Sequence, residues 1–113
     1  MPVTAATFRE LALALPEVEE RSHQGHPDFR VGGKVFATLG PDGGWGMVKL
    51  PPDEQTARAE ADPEAFEPFP GAWGRQGCTR VTLGAARKPS VQACLVAAWR
   101  NTAPKRMLQE HDP

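Results

Sequence analysis

Apolar side chains at Phe8, Leu11, Ala12 and Leu15 recur every three or four residues, the stripe of a helix that buries one face. The pattern predicts a helix over residues 4–15. Thr4 is placed to accept a hydrogen bond from a free backbone amide as N-cap, and Pro16 ends the helix by disfavouring helical geometry at the residue before it. The period then changes to two, and residues 18–50 read as strands. Residues 28–31 and 34–39 flank Gly32-Gly33, a two-residue turn that tolerates positive φ at both positions. Pro41-Asp42-Gly43-Gly44 makes the next turn and residues 45–50 the next strand. Alternation there sets Gly46, Val48 and Leu50 on one face against Trp45, Met47 and Lys49 on the other. The run from Val35 to Leu39 is apolar on both sides, which predicts an internal strand partly covered on both faces.

Pro51-Pro52 ends this sheet run. Asp53 is expected to cap a short polar helix through Ala61, and residues 62–66 to form a separate capped turn. Residues 68–77 read as a loop and residues 78–83 as a strand rich in β-branched side chains. The last helix is expected to begin after Pro89 with Ser90 as N-cap. Val91, Leu95, Ala98 and Trp99 are its buried stripe, Cys94 lies at the flank, and Pro104 stops it. This order predicts an α+β domain of two layers, an antiparallel sheet covered by the N- and C-terminal helices. Without repeats or a long linker, residues 1–113 read as one domain, long enough to build a core without disulfide or metal support.

Charge adds a second layer. The net charge is −1, but residues 71–106 carry Arg75, Arg80, Arg87, Lys88, Arg100, Lys105 and Arg106 and no acid. Residues 51–70 carry the opposite excess, one cation against six acids. A one-signed stretch repels itself and marks a surface that meets an anion or shields other charges. A pI near 6.3 lies well below that of a dedicated nucleic-acid binder, so any such affinity is expected to be weak. No apolar run reaches membrane-spanning length, and no basic segment followed by an apolar one opens the chain; a cytoplasmic location away from membranes is expected. Cys78 and Cys94 are then expected as reduced, partly buried small hydrophobes.

Several stretches resemble the MmcQ/YjbR family of small bacterial proteins. They are Leu11-Ala12-Leu13-Ala14-Leu15-Pro16-Glu17-Val18-Glu19-Glu20, Pro27-Asp28-Phe29-Arg30-Val31-Gly32-Gly33-Lys34-Val35-Phe36-Ala37, Pro70-Gly71-Ala72-Trp73-Gly74, and Ala98-Trp99-Arg100 through Ala103-Pro104-Lys105-Arg106. They run in order along nearly the whole chain. The resemblance implies a frataxin-like (CyaY-like) fold and DNA binding through a proposed double-wing arrangement of hairpins. It brings no catalytic residues with it.

Candidate chemistry is sparse. His23 and His26 are two imidazoles near a turn, but zinc needs three or four convergent ligands, so no metal and no cofactor are expected. Ser22 and His23 are neighbours on a strand and point to opposite faces, which excludes an activated nucleophile. Glu17, Glu19 and Glu20 read as solvated acids. The Gly71–Gly77 stretch lacks the Gly-Lys-Ser/Thr ending of a nucleotide loop, and no enzymatic activity is expected. Trp73 reads first as an aromatic plug beneath that loop and second as a surface on which a base or a partner stacks. Arg100, Lys105 and Arg106 also suit a helix C-terminus, where cations complement the dipole. A basic sheet face is expected if strand register brings Arg80 beside Trp45 and Lys49. The first functional expectation is therefore weak, phosphate-directed DNA binding through Lys34, Lys49, Arg75 and Arg80, with Lys105 and Arg106 behind them. The second is a protein-interaction module or homodimer that docks the acidic 51–67 stretch on a basic surface, supported if the sheet leaves an apolar face exposed. A frataxin-like metal handler is disfavoured, because the first helix contains a single acid, Glu10.

Overall fold

Thr4 caps the first helix as its sequence predicts. Its hydroxyl accepts from the Thr7 amide at 3.1 Å, and α1 (Ala5–Leu13) buries Phe8 and Ala12. The structure, a computed structural model, describes residues 3–23 and 25–111, without the side chain of His23. The helix ends two residues before the predicted Leu15, in a turn where Leu15 bonds back to the Ala12 carbonyl.

Four antiparallel strands follow: β1 (Glu19–His23), β2 (His26–Val31), β3 (Lys34–Leu39) and β4 (Trp45–Lys49). Two more, β5 (Phe66–Pro68) and β6 (Cys78–Thr82), complete a six-stranded sheet in the order β1-β2-β3-β4-β6-β5. The predicted alternation along β4 holds. Gly46 and Val48 are buried, whereas Trp45, Met47 and Lys49 are only half-buried on the other face. At Gly46 the absent side chain admits the Phe8 ring, since a Cβ there would sit 2.9 Å from it. Between β2 and β3 the register shifts, with Phe29 opposite Ala37 but Arg30 opposite Val35. The skipped residue, Phe36, turns inward together with Ala37, and both are buried. This bulge explains the doubly apolar run, and β3 is internal as expected.

α4 (Lys88–Thr102) and α1 pack on the inner face of the sheet, against β3 and β4. Phe8, Phe29, Phe36, Val48, Val81, Leu95 and Trp99 are fully buried there. Leu11 and Leu15 are only partly buried at the margin of this core. Trp99 also donates from Nε1 to the Pro16 carbonyl at 2.9 Å, tying α4 to the end of α1. The α+β, two-layer, antiparallel architecture covered by the terminal helices is therefore the observed one.

Several boundaries differ from the sequence reading. Ser90 is not a cap: α4 starts at Lys88 with Pro89 in its first turn, where the missing amide costs no hydrogen bond. Asp53 is likewise inside α2 (Pro52–Ala61), where it and Glu54 complement the positive end of the helix. The stretch read as a loop contains α3 (Gly71–Arg75), and Phe66–Pro68 is a strand paired with β6. Pro104 ends α4 but also opens a short α5 (Lys105–Glu110). Lys105 and Arg106 therefore lie at a helix N-terminus, contrary to the dipole reading, and Arg106 pairs with Glu110 at 3.6 Å.

Candidate functional site

The outer face of the sheet carries one continuous row of side chains. Asp28 pairs with Thr38, Thr38 with Met47, Met47 with Arg80 and Arg80 with Glu67, so the row crosses five strands. Direct partners in an antiparallel sheet share a face. The register thus places Arg80 beside Trp45 and Lys49, the arrangement on which the basic-face reading depends. Its guanidinium carbon lies 5.0 Å from the Trp45 ring centroid and 5.2 Å from that of Phe69. The two rings meet edge to face at 5.9 Å. The cation is held against aromatic surface, within reach of the negative faces of both rings.

Beside this stack lies a groove of about 570 Å³. Val35, Thr38 and Met47 are on the strands beneath it, Trp45, Phe69 and Trp73 supply aromatic surface, and Lys49 and Arg30 bring cations. Trp73 corrects the sequence reading: it is 69% exposed and no core plug. The cause lies in how α3 is fixed. A Cβ on Gly74 would lie 1.8 Å from the Phe69 carbonyl oxygen, so that helix side is pressed against the chain and the Trp73 ring is left outside. Gln55, buried on α2, anchors the same junction. Its Nε2 approaches the Gly74 carbonyl at 3.0 Å, the Cys78 carbonyl at 3.2 Å and the Thr79 hydroxyl at 3.1 Å. Sequence reasoning missed Gln55, for nothing in a polar helix singles out the one amide that points inward.

At the β2 end, Asp28 is 3% exposed and takes a two-pronged hydrogen bond from Arg30, Nε to Oδ1 at 3.0 Å and Nη2 to Oδ2 at 3.2 Å. The hydrogen bond to Asp28 raises the Arg30 pKa above its ordinary value, so Arg30 is a fixed cation. His26 lines this end too, and its buried Nδ1 finds no hydrogen-bond partner among the described residues. Cys78, opposite Lys49, borders the groove, but burial pushes its thiol up, away from the reactive thiolate. Cys94 is also buried and unpaired, as expected of a small hydrophobe, and burial pushes its thiol up to about 11.

The six expected contact residues divide into two groups. Lys34 and Lys49 line an adjoining depression of about 480 Å³, which shares Val35 and Lys49 with the groove. Arg80 is on the same sheet face, and exposed Arg75 ends the helix that carries Trp73. Lys105 and Arg106 are set apart on α5, whose preceding Pro104 abuts Gly32 at the β2–β3 turn. Glu67 and Asp28 interrupt the cationic face. The His23 side chain, half of the weighed metal pair, lies outside the described residues. A different three-ligand grouping occurs among them: Glu17, Glu110 and His111, with His111 Nε2 2.8 Å from Glu17 Oε2. Its two carboxylates are exposed and His111 is half-buried, and it joins the end of α5 to the turn after α1. A depression of about 450 Å³ between α2 and α4 is lined by alanines, Leu50 and Cys94 with Glu54 and Arg58, and has no aromatic surface. No described helix is long and apolar enough to cross a membrane.

The family model described as YjbR matches residues 13–101, and the chain belongs to that family. A crystal structure of the Deinococcus radiodurans protein DR2400, with a DUF419 domain, superposes with a TM-score of 0.76. It shares 18% identity, over 97% of this chain and 88% of that one, a likeness of fold. No curated protein matches the chain.

Proposed function

We propose that this member of the YjbR family is a nucleic-acid-binding domain that works through the outer face of its sheet. The observation that carries the reading is the exposed Trp73 ring at a groove flanked by Lys49, with Arg80 stacked nearby on Trp45 and Phe69. Aromatic surface beside fixed cations suits a polymer of bases and phosphates. Lys34, Lys49, Arg75 and Arg80 contact phosphate, which positions a strand without reading its sequence. Glu67 and Asp28 on the same row, and a net charge of −1, keep the affinity low. Micromolar binding or weaker is expected at physiological salt, the range of non-specific complexes.

Fluorescence anisotropy with labelled DNA between about 50 and 200 mM salt tests this, because phosphate contacts lose affinity steeply over that range. The K49Q/R75Q/R80Q variant should bind more weakly, and each lost phosphate contact should flatten the log–log salt slope by roughly 0.9. A second reading has its own support, since an apolar groove with an exposed tryptophan also fits a protein partner or a second copy. It predicts no DNA binding at low salt and a mass that rises with concentration in sedimentation. That pair of results would replace the first reading.

A further inference from the structure

We infer, building on the nucleic-acid reading, that the outer-face groove receives one unpaired base, so that this domain prefers a single strand to a duplex. The groove has the size of a site for a small molecule, roughly 300–1,000 Å³. A base with its sugar fits that space. Stacking needs the flat face of a base, and in a duplex those faces are already covered by neighbouring pairs. Among the described residues Trp73 is the large hydrophobic side chain left exposed. Trp99 is fully buried and Trp45 already carries the Arg80 guanidinium. One open aromatic face is therefore available.

The surroundings match a nucleotide rather than an apolar peptide. The adjoining depression is lined by Lys34, Lys49, Gln76, Asn101 and Thr102, all cationic or neutral polar apart from Val35, and none a carboxylate. It adjoins the base groove through Lys49, so a phosphate attached to a base in the first site reaches donors in the second. At the opposite end the Asp28 carboxylate is committed to Arg30. A guanidinium has five N–H donors; the Asp28 pair takes two of those on Arg30, and among the described residues the other three are left for the acceptor edge of a base. The site thus combines a stacking ring, a donor-bearing end and a cationic end.

The test compares a mixed-sequence 12-nucleotide DNA strand with its 12-base-pair duplex at about 50 mM salt, where phosphate contacts are strong. The single strand should bind at least about tenfold tighter, as expected where base stacking adds to the phosphate contacts. Trp73→Ala should weaken single-strand binding by roughly 5- to 150-fold, the range for losing one base stacked on an aromatic ring. Its effect on duplex binding should be smaller, because paired bases present no free face to the ring. Circular dichroism of the variant should match wild type, because the ring removed is exposed. Equal binding of both forms, insensitive to Trp73→Ala but weakened by K49Q/R80Q, overturns this inference and leaves the phosphate-binding reading standing. No binding of either form removes both. If thymidine monophosphate displaces the strand at a lower concentration than the unlabelled 12-mer does, a free nucleotide replaces the strand as occupant. Self-association that Trp73→Ala abolishes, without nucleic-acid binding, assigns the groove to a protein contact and also overturns the inference.

Discussion

Two tryptophans with opposite environments give the sharpest test of the packing. Trp99 is 0% exposed, sits where α4 meets the sheet, and donates to the Pro16 carbonyl at 2.9 Å. Truncation to alanine removes a whole indole from the core and leaves that carbonyl without its donor. Buried Trp or Phe to Ala substitutions cost about 3–5 kcal/mol through lost transfer energy and the cavity left behind. For small domains stability falls by about 1–3 kcal/mol per molar urea. Trp99→Ala should therefore lower the urea midpoint by at least about 1 M even at the steepest slope, against a total stability of about 5–15 kcal/mol. Trp73→Ala removes the same atoms from a side chain that is 69% exposed. Surface substitutions stay within about 0.5 kcal/mol, so its midpoint should move by less than about 0.5 M. Equilibrium unfolding followed by circular dichroism avoids relying on the fluorophores being removed. Similar midpoints for the two variants would refute the assignment of Trp99 to the core and Trp73 to the surface. Trp99→Phe keeps an aromatic ring in the core but loses the hydrogen bond and part of the indole volume, for a smaller loss of about 1 kcal/mol for the bond plus a term for the volume removed.

Other expectations follow from single contacts. Gln55→Ala should cost about 1–3 kcal/mol, because two carbonyls and a hydroxyl lose a buried donor, and should release α3 so that Trp73 fluorescence changes even under native conditions. Urea melts and emission spectra check this, and an unchanged spectrum would mean that Gln55 does not position α3. Burial raises the Cys94 thiol from 9.0 to about 11, so the unfolded chain loses that proton first. The stability this contributes is present below pH 9 and falls as pH rises through about 11; Cys94→Ala should flatten that alkaline decline. The native thiol should also react with a disulfide reagent at pH 8 only as fast as the protein opens, since thiolate is the reactive form.

Local rules carried much of the fold. The i, i+3, i+4 stripes identified α1 and α4, and Gly32-Gly33 identified the β2–β3 turn. The resemblance of four ordered motifs pointed to the family. The same rules separated Gly46 and Val48 from Trp45, Met47 and Lys49, because alternation is a property of one strand alone. Short elements escaped them. β5, α3 and α5 span three, five and six residues, too few for a period to show, and they exist through pairing and packing with the rest of the chain.

The sequence by itself therefore determined the kinds of layer, the inward faces and the basic character of residues 71–106. Only the tertiary structure decided which cations share a surface. That depends on the register of β6 against β4, which sets Arg80 opposite Met47 and onto Trp45, and register is a relation between segments about thirty residues apart. Burial of Trp73 was undecidable for the same reason. The preference of a tryptophan for the interior is an average, whereas the backbone contact at Gly74 and the Gln55 bridge hold this particular ring outside.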